Sequence, residues 1–171
     1  MGNYEKALQF VLEREGGFCN VPADHGGATN KGITQTVYNQ YRRDKGETLQ
    51  SVEYITDQEV SDIYSTKYWL PAHCDALIDA LSVIHFDSSV NNGVGQASKF
   101  LQRCLGVQDD GIIGPATLAK LATTNQALLE PIYILQRQKF YELIVQEKPD
   151  QEQFLKGWLN RLEELKKYIA V

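Results

Sequence analysis

Cysteine is scarce in these 171 residues: three, at positions 19, 74 and 104. An odd number at such wide spacing builds no disulfide framework, and none pairs in the spacing of a metal site. Free, buried thiols are the expectation, and Cys19 lacks the accompanying histidine that a nucleophile needs. The three histidines, 25, 73 and 85, are equally scattered. His85 sits in an apolar stretch and reads as a hydrogen-bonded core residue rather than a ligand. No metal ion and no organic cofactor is implied. Positive charge is also in short supply, with 17 Lys and Arg against 22 Asp and Glu and a net charge of −5. Without a basic stripe to neutralise phosphates, nucleic acid is excluded as the main partner. No apolar run approaches the roughly 18 residues of a membrane span, so membrane insertion is not expected. Met1-Gly2-Asn3-Tyr4-Glu5-Lys6 leads into an amphipathic helix rather than a signal-peptide core. Lys6 stands where a myristoylation signal needs Ser or Thr. The expectation is a product of the cytoplasm with no signal peptide. Internal repeats and low-complexity segments are absent, and strand signals are weak.

What the chain does have is helical periodicity. Thr34 is placed to cap a helix through about Tyr41. Thr56-Asp57-Gln58-Glu59 is a capping box. It opens a helix with Val60, Ile63, Tyr64 and Tyr68 inward, stopped near Trp69-Leu70-Pro71. From Asp75 to Asp87 the chain is apolar nearly all round, which predicts a central buried helix. That helix ends in Asp87, Ser88, Ser89, Asn91, Asn92 and Gly93, polar groups that must be satisfied by one another, by backbone or by a ligand. Val94, Ala97, Leu101, Cys104 and Leu105 mark the next helix, closed by Gly106. Gly114 and Pro115 fit the N-cap and first position of another. Asn125 caps a long helix to about Glu147, Pro149-Asp150 breaks it, and a last helix turns Phe154, Leu155, Trp158, Leu162, Leu165 and Ile169 inward. The two long helices most simply form a bracing hairpin. A dimerisation surface is the lesser alternative, and a monomer is expected.

The stretch from Glu15 to Thr34 stands apart. After the helix cap at Asn3, apolar residues fall at Tyr4, Ala7, Leu8, Val11 and Leu12. One more step on that face lands on Glu15, and Gly16-Gly17 then end the helix. Glu15 is thus expected on a buried face at the negative helix end, where burial and the dipole both disfavour ionisation. A raised carboxyl pKa is what a general acid needs near neutral pH. A glutamate paired with a buried arginine is the ordinary alternative. The following loop favours the chemical reading: Asp24, Thr29, Asn30 and Thr34 supply polar groups without cations on a segment rich in glycine. A short hairpin within 18–34 is possible. A neutral polar cleft with one or two carboxylates suits acid-assisted cleavage of a glycosidic bond.

These residues also resemble a known family. Glu15-Gly16-Gly17-Phe18, Pro22-Ala23-Asp24 and Gly26-Gly27-Ala28-Thr29-Asn30-Lys31-Gly32-Ile33-Thr34 look like the signature of glycoside hydrolase family 108. Its members are bacterial and phage N-acetylmuramidases, including the secretion activator proteins. Phe86 to Gly93 is similar to its second motif. The resemblance implies a mainly α, lysozyme-like fold and cleavage of peptidoglycan between N-acetylmuramic acid and N-acetylglucosamine. It implies Glu15 as catalytic acid, with Asp24 and Thr29 as candidates for holding the attacking water. Asn30, Thr34, Asp87, Asn91 and Asn92 are candidate sugar ligands, the last three on an opposite wall. Asp24-His25 stands where the family often has Asp-Pro. The stretch from Leu101 to Leu118 resembles peptidoglycan-binding modules, with Leu105-Gly106, Asp110-Gly111, Gly114-Pro115 and Thr117 matching. The implied division is a catalytic region over 1–90 and a helical, peptidoglycan-binding-like region over 91–171, packed as one compact body. The expected partner is the glycan strand of the cell wall, met after lysis, release or holin-type export. Two alternatives stay open: a lytic transglycosylase, which also uses one Glu, and a non-catalytic wall-binding or secretion-regulating protein.

Overall fold

The computed structural model describes residues 2–20 and 27–170. The fold is mainly α. The described residues form eight α-helices and one two-stranded antiparallel sheet, and divide into two compact units, Leu8–Lys67 and Met1–Ala7 with Tyr68–Val171. The first helix, α1 (Asn3–Leu12), contributes residues to each.

In the Leu8–Lys67 unit, α1 is followed by strands β1 (Thr29–Asn30) and β2 (Ile33–Thr34) and by helices α2 (Gln35–Asp44) and α3 (Asp57–Tyr64). Thr34 caps α2, its hydroxyl accepting from Val37 N at 3.3 Å. The Thr56–Glu59 capping box is present in full, and Val60, Ile63 and Tyr64 are buried as their spacing predicts. Glu59 also accepts from Tyr38 Oη at 2.8 Å and from Arg42 Nη1 at 2.6 Å, tying α3 to α2. The loop between them is sewn down by Gln35, which accepts from Val52 N at 2.7 Å and donates to Gln50 O at 2.8 Å. Beyond Tyr64 the helix widens into a π-turn over Ser65–Trp69.

The other unit is built around α4 (Asp79–Asn92), every residue of which from Leu81 to Ser89 is buried. It packs against α5 (Val94–Leu105), α7 (Leu129–Glu147) and α8 (Glu152–Ile169). The predicted central helix is there, but it starts later than Asp75, after a 3-10 turn over Cys74–Ala76. Its polar residues are satisfied locally: Ser82 donates to Asp79 O at 2.6 Å and Ser89 to His85 O at 2.7 Å. Helix α6 (Pro115–Ala122) starts on the Gly114–Pro115 pair as expected. The predicted inward position of Phe154 is not observed. Its ring is 48% exposed and stacks beside Trp158. Among the cysteines, Cys74 is buried but Cys19 is exposed, against expectation.

Gln102 accounts for the turn residues of the 101–118 stretch by hydrogen bonds within the fold. Its buried amide donates to Asp110 Oδ1 at 2.7 Å, Ile112 O at 3.0 Å and Thr117 Oγ1 at 3.3 Å, and accepts from Gly111 N at 2.8 Å. The hydrogen bond from Gln102 and that from Ile112 N hold the Asp110 carboxyl below its usual range. Gln102→Ala is expected to cost about 1–3 kcal/mol by orphaning these groups. Hydrogen exchange at the Gly111 amide should accelerate, and unchanged protection there would contradict the assignment.

His85 is a core histidine. Nε2 faces Ala72 O at 3.0 Å and Nδ1 faces the Tyr133 hydroxyl at 2.8 Å. The Ala72 carbonyl can only accept, so Nε2 carries the proton, and the Tyr133 hydroxyl beside Nδ1 also donates to Ala97 O at 2.9 Å. Burial pushes its pKa down to about 4. An unfolded histidine takes up its proton near pH 6.5. Between those values only the unfolded chain gains a proton. Stability is therefore full above about pH 6.5 and declines toward pH 4, by roughly 3 kcal/mol. Thermal melts across that range should show the decline and His85→Gln should flatten it; an equally steep profile in the variant would overturn this account.

Candidate active site

Glu15 lies beyond α1 rather than on it. The helix ends at Leu12, and the chain tightens through Arg14 N to Val11 O at 3.0 Å and Glu15 N to Leu12 O at 3.2 Å. Such i−3 bonds close many helix ends. Arg14 stabilises this end by donating to Phe10 O at 2.7 Å with its guanidinium 3.6 Å above the Phe10 ring. The segment after Glu15 then runs antiparallel beside β1. Lys31 N donates to Gly16 O at 3.0 Å, and Cys19 and Thr29 exchange backbone bonds at 2.8 Å in both directions. Residues 16–19 thus act as a third strand beside the hairpin, which fixes Glu15 at its turn.

That turn is two residues long, Lys31-Gly32, with φ of 49° and 74°. Both lie in the left-handed region, as the central pair of a type I′ hairpin turn must. Gly32 is also required for space. A Cβ there would sit 2.8 Å from Glu15 Oε2, 3.0 Å from Glu15 Cδ and 2.5 Å from Tyr64 Oη. The half-buried Glu15 carboxyl therefore lies directly against bare backbone. Tyr64, buried in α3, donates to Lys31 O at 2.9 Å. Lys31 Nζ reaches outward and pairs with the exposed Asp57.

The hairpin register sorts the polar residues predicted around Glu15. Thr29 opposes Thr34 and Asn30 opposes Ile33, so the two pairs occupy opposite faces. Asn30 and Ile33 are on the buried side. Asn30 donates to Val52 O at 3.2 Å and Glu53 O at 3.3 Å, a bond to its own fold rather than to a sugar. Thr34 spends its hydroxyl on the α2 cap. Among the described residues the Thr29 hydroxyl has no hydrogen-bond partner. Asp24 lies outside the described residues.

Asp87, Asn91 and Asn92 fall in the other unit. Asp87 is fully buried, with Arg137 Nη1 2.8 Å from Oδ2 and Arg161 Nε donating to Oδ1 at 2.9 Å. Burial alone would lower the Arg137 pKa, but the adjacent Asp87 carboxylate outweighs it and the group is raised. This carboxylate is a strut joining three helices, and its geometry leaves it unsuited to reaching a sugar. Asn91 is exposed and donates to Asp87 O at 2.7 Å. Asn92 accepts from Ser88 Oγ and Tyr141 Oη, each at 3.3 Å. Both asparagines border a cleft of about 300 Å³ with Tyr141, Trp158 and Arg161. Tyr64, Lys31 and Gly32 are the residues that sequence reasoning passed over. An Asn-Lys-Gly-Ile stretch flanked by strand-forming residues is the signal that could have found the turn.

Comparison with known proteins bears on this geometry. The family model for Glycosyl hydrolase 108 matches residues 8–93, half of the chain, and includes Glu15 and the hairpin. The chain belongs to glycosyl hydrolase family 108. This glycosidase also matches the Predicted Peptidoglycan domain over residues 96–163. It is similar to the solved structure of SagA from Brucella abortus, with 28% sequence identity and a TM-score of 0.75, covering 98% of this chain and 94% of that one. That likeness places the family 108 member among lysozyme-like folds. No curated protein matches the sequence. The two matched domains make it a peptidoglycan-directed glycosidase.

Proposed function

We propose that the protein is an N-acetylmuramidase that hydrolyses the peptidoglycan glycan between N-acetylmuramic acid and N-acetylglucosamine, with Glu15 as general acid. One observation carries this reading: within the family match, the half-buried Glu15 carboxyl is held against the Gly32 backbone at a hairpin turn. Glu15 delivers its proton to the glycosidic oxygen as the bond to the anomeric carbon breaks, and water completes the hydrolysis. The Thr29 hydroxyl, uncommitted within the described fold, and Asp24 are the groups we assign to positioning that water. The site of action is the cell wall, outside the cytoplasm.

Mass spectrometry of digested peptidoglycan tests the reaction. Muropeptides with ordinary reducing N-acetylmuramic acid ends are expected. Products with 1,6-anhydro ends would replace this reading with a lytic transglycosylase, and no soluble product would replace it with a binding protein.

A further inference from the structure

We infer that Tyr64 is a positioning residue for the glycosidic chemistry, acting on Glu15 through the Lys31-Gly32 turn; this rests on Glu15 being the acid. The Tyr64 side chain is 2% exposed, yet its hydroxyl is not buried for packing alone. It donates to Lys31 O at 2.9 Å. That carbonyl belongs to a non-glycine residue held at φ 49°, next to Gly32 at φ 74°. A lysine in the left-handed region is disfavoured and persists only where its surroundings hold it. The Tyr64 bond is one such restraint, and Lys31 N to Gly16 O at 3.0 Å is a second. The Nζ pairing with Asp57 is a third.

The turn so held is the surface on which the acid rests. Tyr64 Oη and Glu15 Oε2 flank one point above Gly32, 2.5 Å and 2.8 Å from it. A carboxyl can approach backbone this closely only where no Cβ intervenes and the turn does not relax. Deleting the hydroxyl frees the Lys31 carbonyl to turn toward water, lets Lys31 leave its disfavoured conformation and removes the ledge under Glu15. Lys31 is paired with Asp57, and Arg14 is stacked on Phe10. Displacing a catalytic group by about 1 Å costs on the order of 10²-fold in rate.

Tyr64→Phe is the test, because it keeps the ring and removes only the hydroxyl. With soluble, uncross-linked glycan strands, kcat is expected to fall about 10- to 100-fold. KM should stay within about twofold, since uniform binding is untouched. In the same variant hydrogen exchange at the Lys31 amide, bonded to Gly16 O, should quicken while the α4 amides keep their protection, a readout that separates a loosened turn from general loss of stability. Gly32→Ala, which puts a methyl group against both side chains, should show the same kcat loss and decides the matter should Tyr64→Phe not fold. Wild-type kcat and unchanged exchange at the Lys31 amide in either folded variant would overturn the inference. If Glu15→Gln retains full activity, the assignment of the acid fails instead; if it is inactive while Tyr64→Phe is normal, only the role of Tyr64 fails.

Discussion

Glu15→Gln is expected to lower kcat by about 10²- to 10⁴-fold, the range that a positioned general acid supplies. That loss corresponds to roughly 3–5 kcal/mol of transition-state stabilisation. Glutamine has nearly the same volume and leaves the approach to Gly32 intact, so the melting temperature should be close to wild type. The contrast between a large kinetic effect and a small thermal one is the informative result. The neighbouring Glu13 supplies the control. It lies exposed on the last turn and accepts from Gln9 at 2.9 Å. Glu13→Gln should leave kcat unchanged. Equal activity in Glu15→Gln and wild type would remove Glu15 as the acid.

Asp87→Ala should have the reverse signature, a structural collapse with no catalytic cause. Asp87 and Arg137 are both 0% exposed, and Arg161 is 18% exposed. Removing the carboxylate leaves two guanidinium groups facing each other with their shared counter-ion gone. Breaking a buried pair in this way costs about 3–5 kcal/mol. Native proteins of this size hold about 5–15 kcal/mol in all, so the variant should sit at the margin of folding. A drop in melting temperature on the order of 10 °C is expected by calorimetry, given about 2–4 °C per kcal/mol for chains of this length. Asp87→Asn keeps an acceptor for Arg161 and should fall between. A loss under about 1 kcal/mol in Asp87→Ala would mean that the guanidiniums find other partners and that the strut is not structural.

Asp87 also shows where sequence reasoning stops. Its polarity at the end of an apolar helix was legible, and so was the need for a partner. The partner was not, because Arg161 stands 74 residues away on a helix whose own pattern gives no hint of it. Local signals fared better. The Thr56–Glu59 box, the Gly114–Pro115 start and the Gly106 stop depend on neighbours within a few residues, and each is in place. The apolar run from Leu81 is the buried α4 that its composition requires. Glu15 divides the two cases. Periodicity put it on the last turn of a helix, but the backbone leaves the helix three residues earlier, because Gly16 is recruited as a strand partner by Lys31. Asn30 read as a sugar ligand because its side chain is polar and near Glu15 in sequence. The register of a two-residue hairpin turned it inward, and a period of two cannot be read from strands this short.

The packing of α4 constrains how this chain can be rearranged. By sequence match, α4 belongs with the N-terminal family segment, which runs to residue 93. By packing, it belongs with α5, α7 and α8, in the unit of Met1–Ala7 and Tyr68–Val171. A chimera joined in the gap between the two matched segments would therefore part Asp87 from Arg137 and Arg161 and carry a bare buried charge into its new host. Swapping the C-terminal part among relatives demands a junction near residue 67, inside the π-turn, with α4 and residues 1–7 travelling alongside their helical neighbours. Lineages that exchanged these modules at the apparent seam would have had to change all three of those residues together.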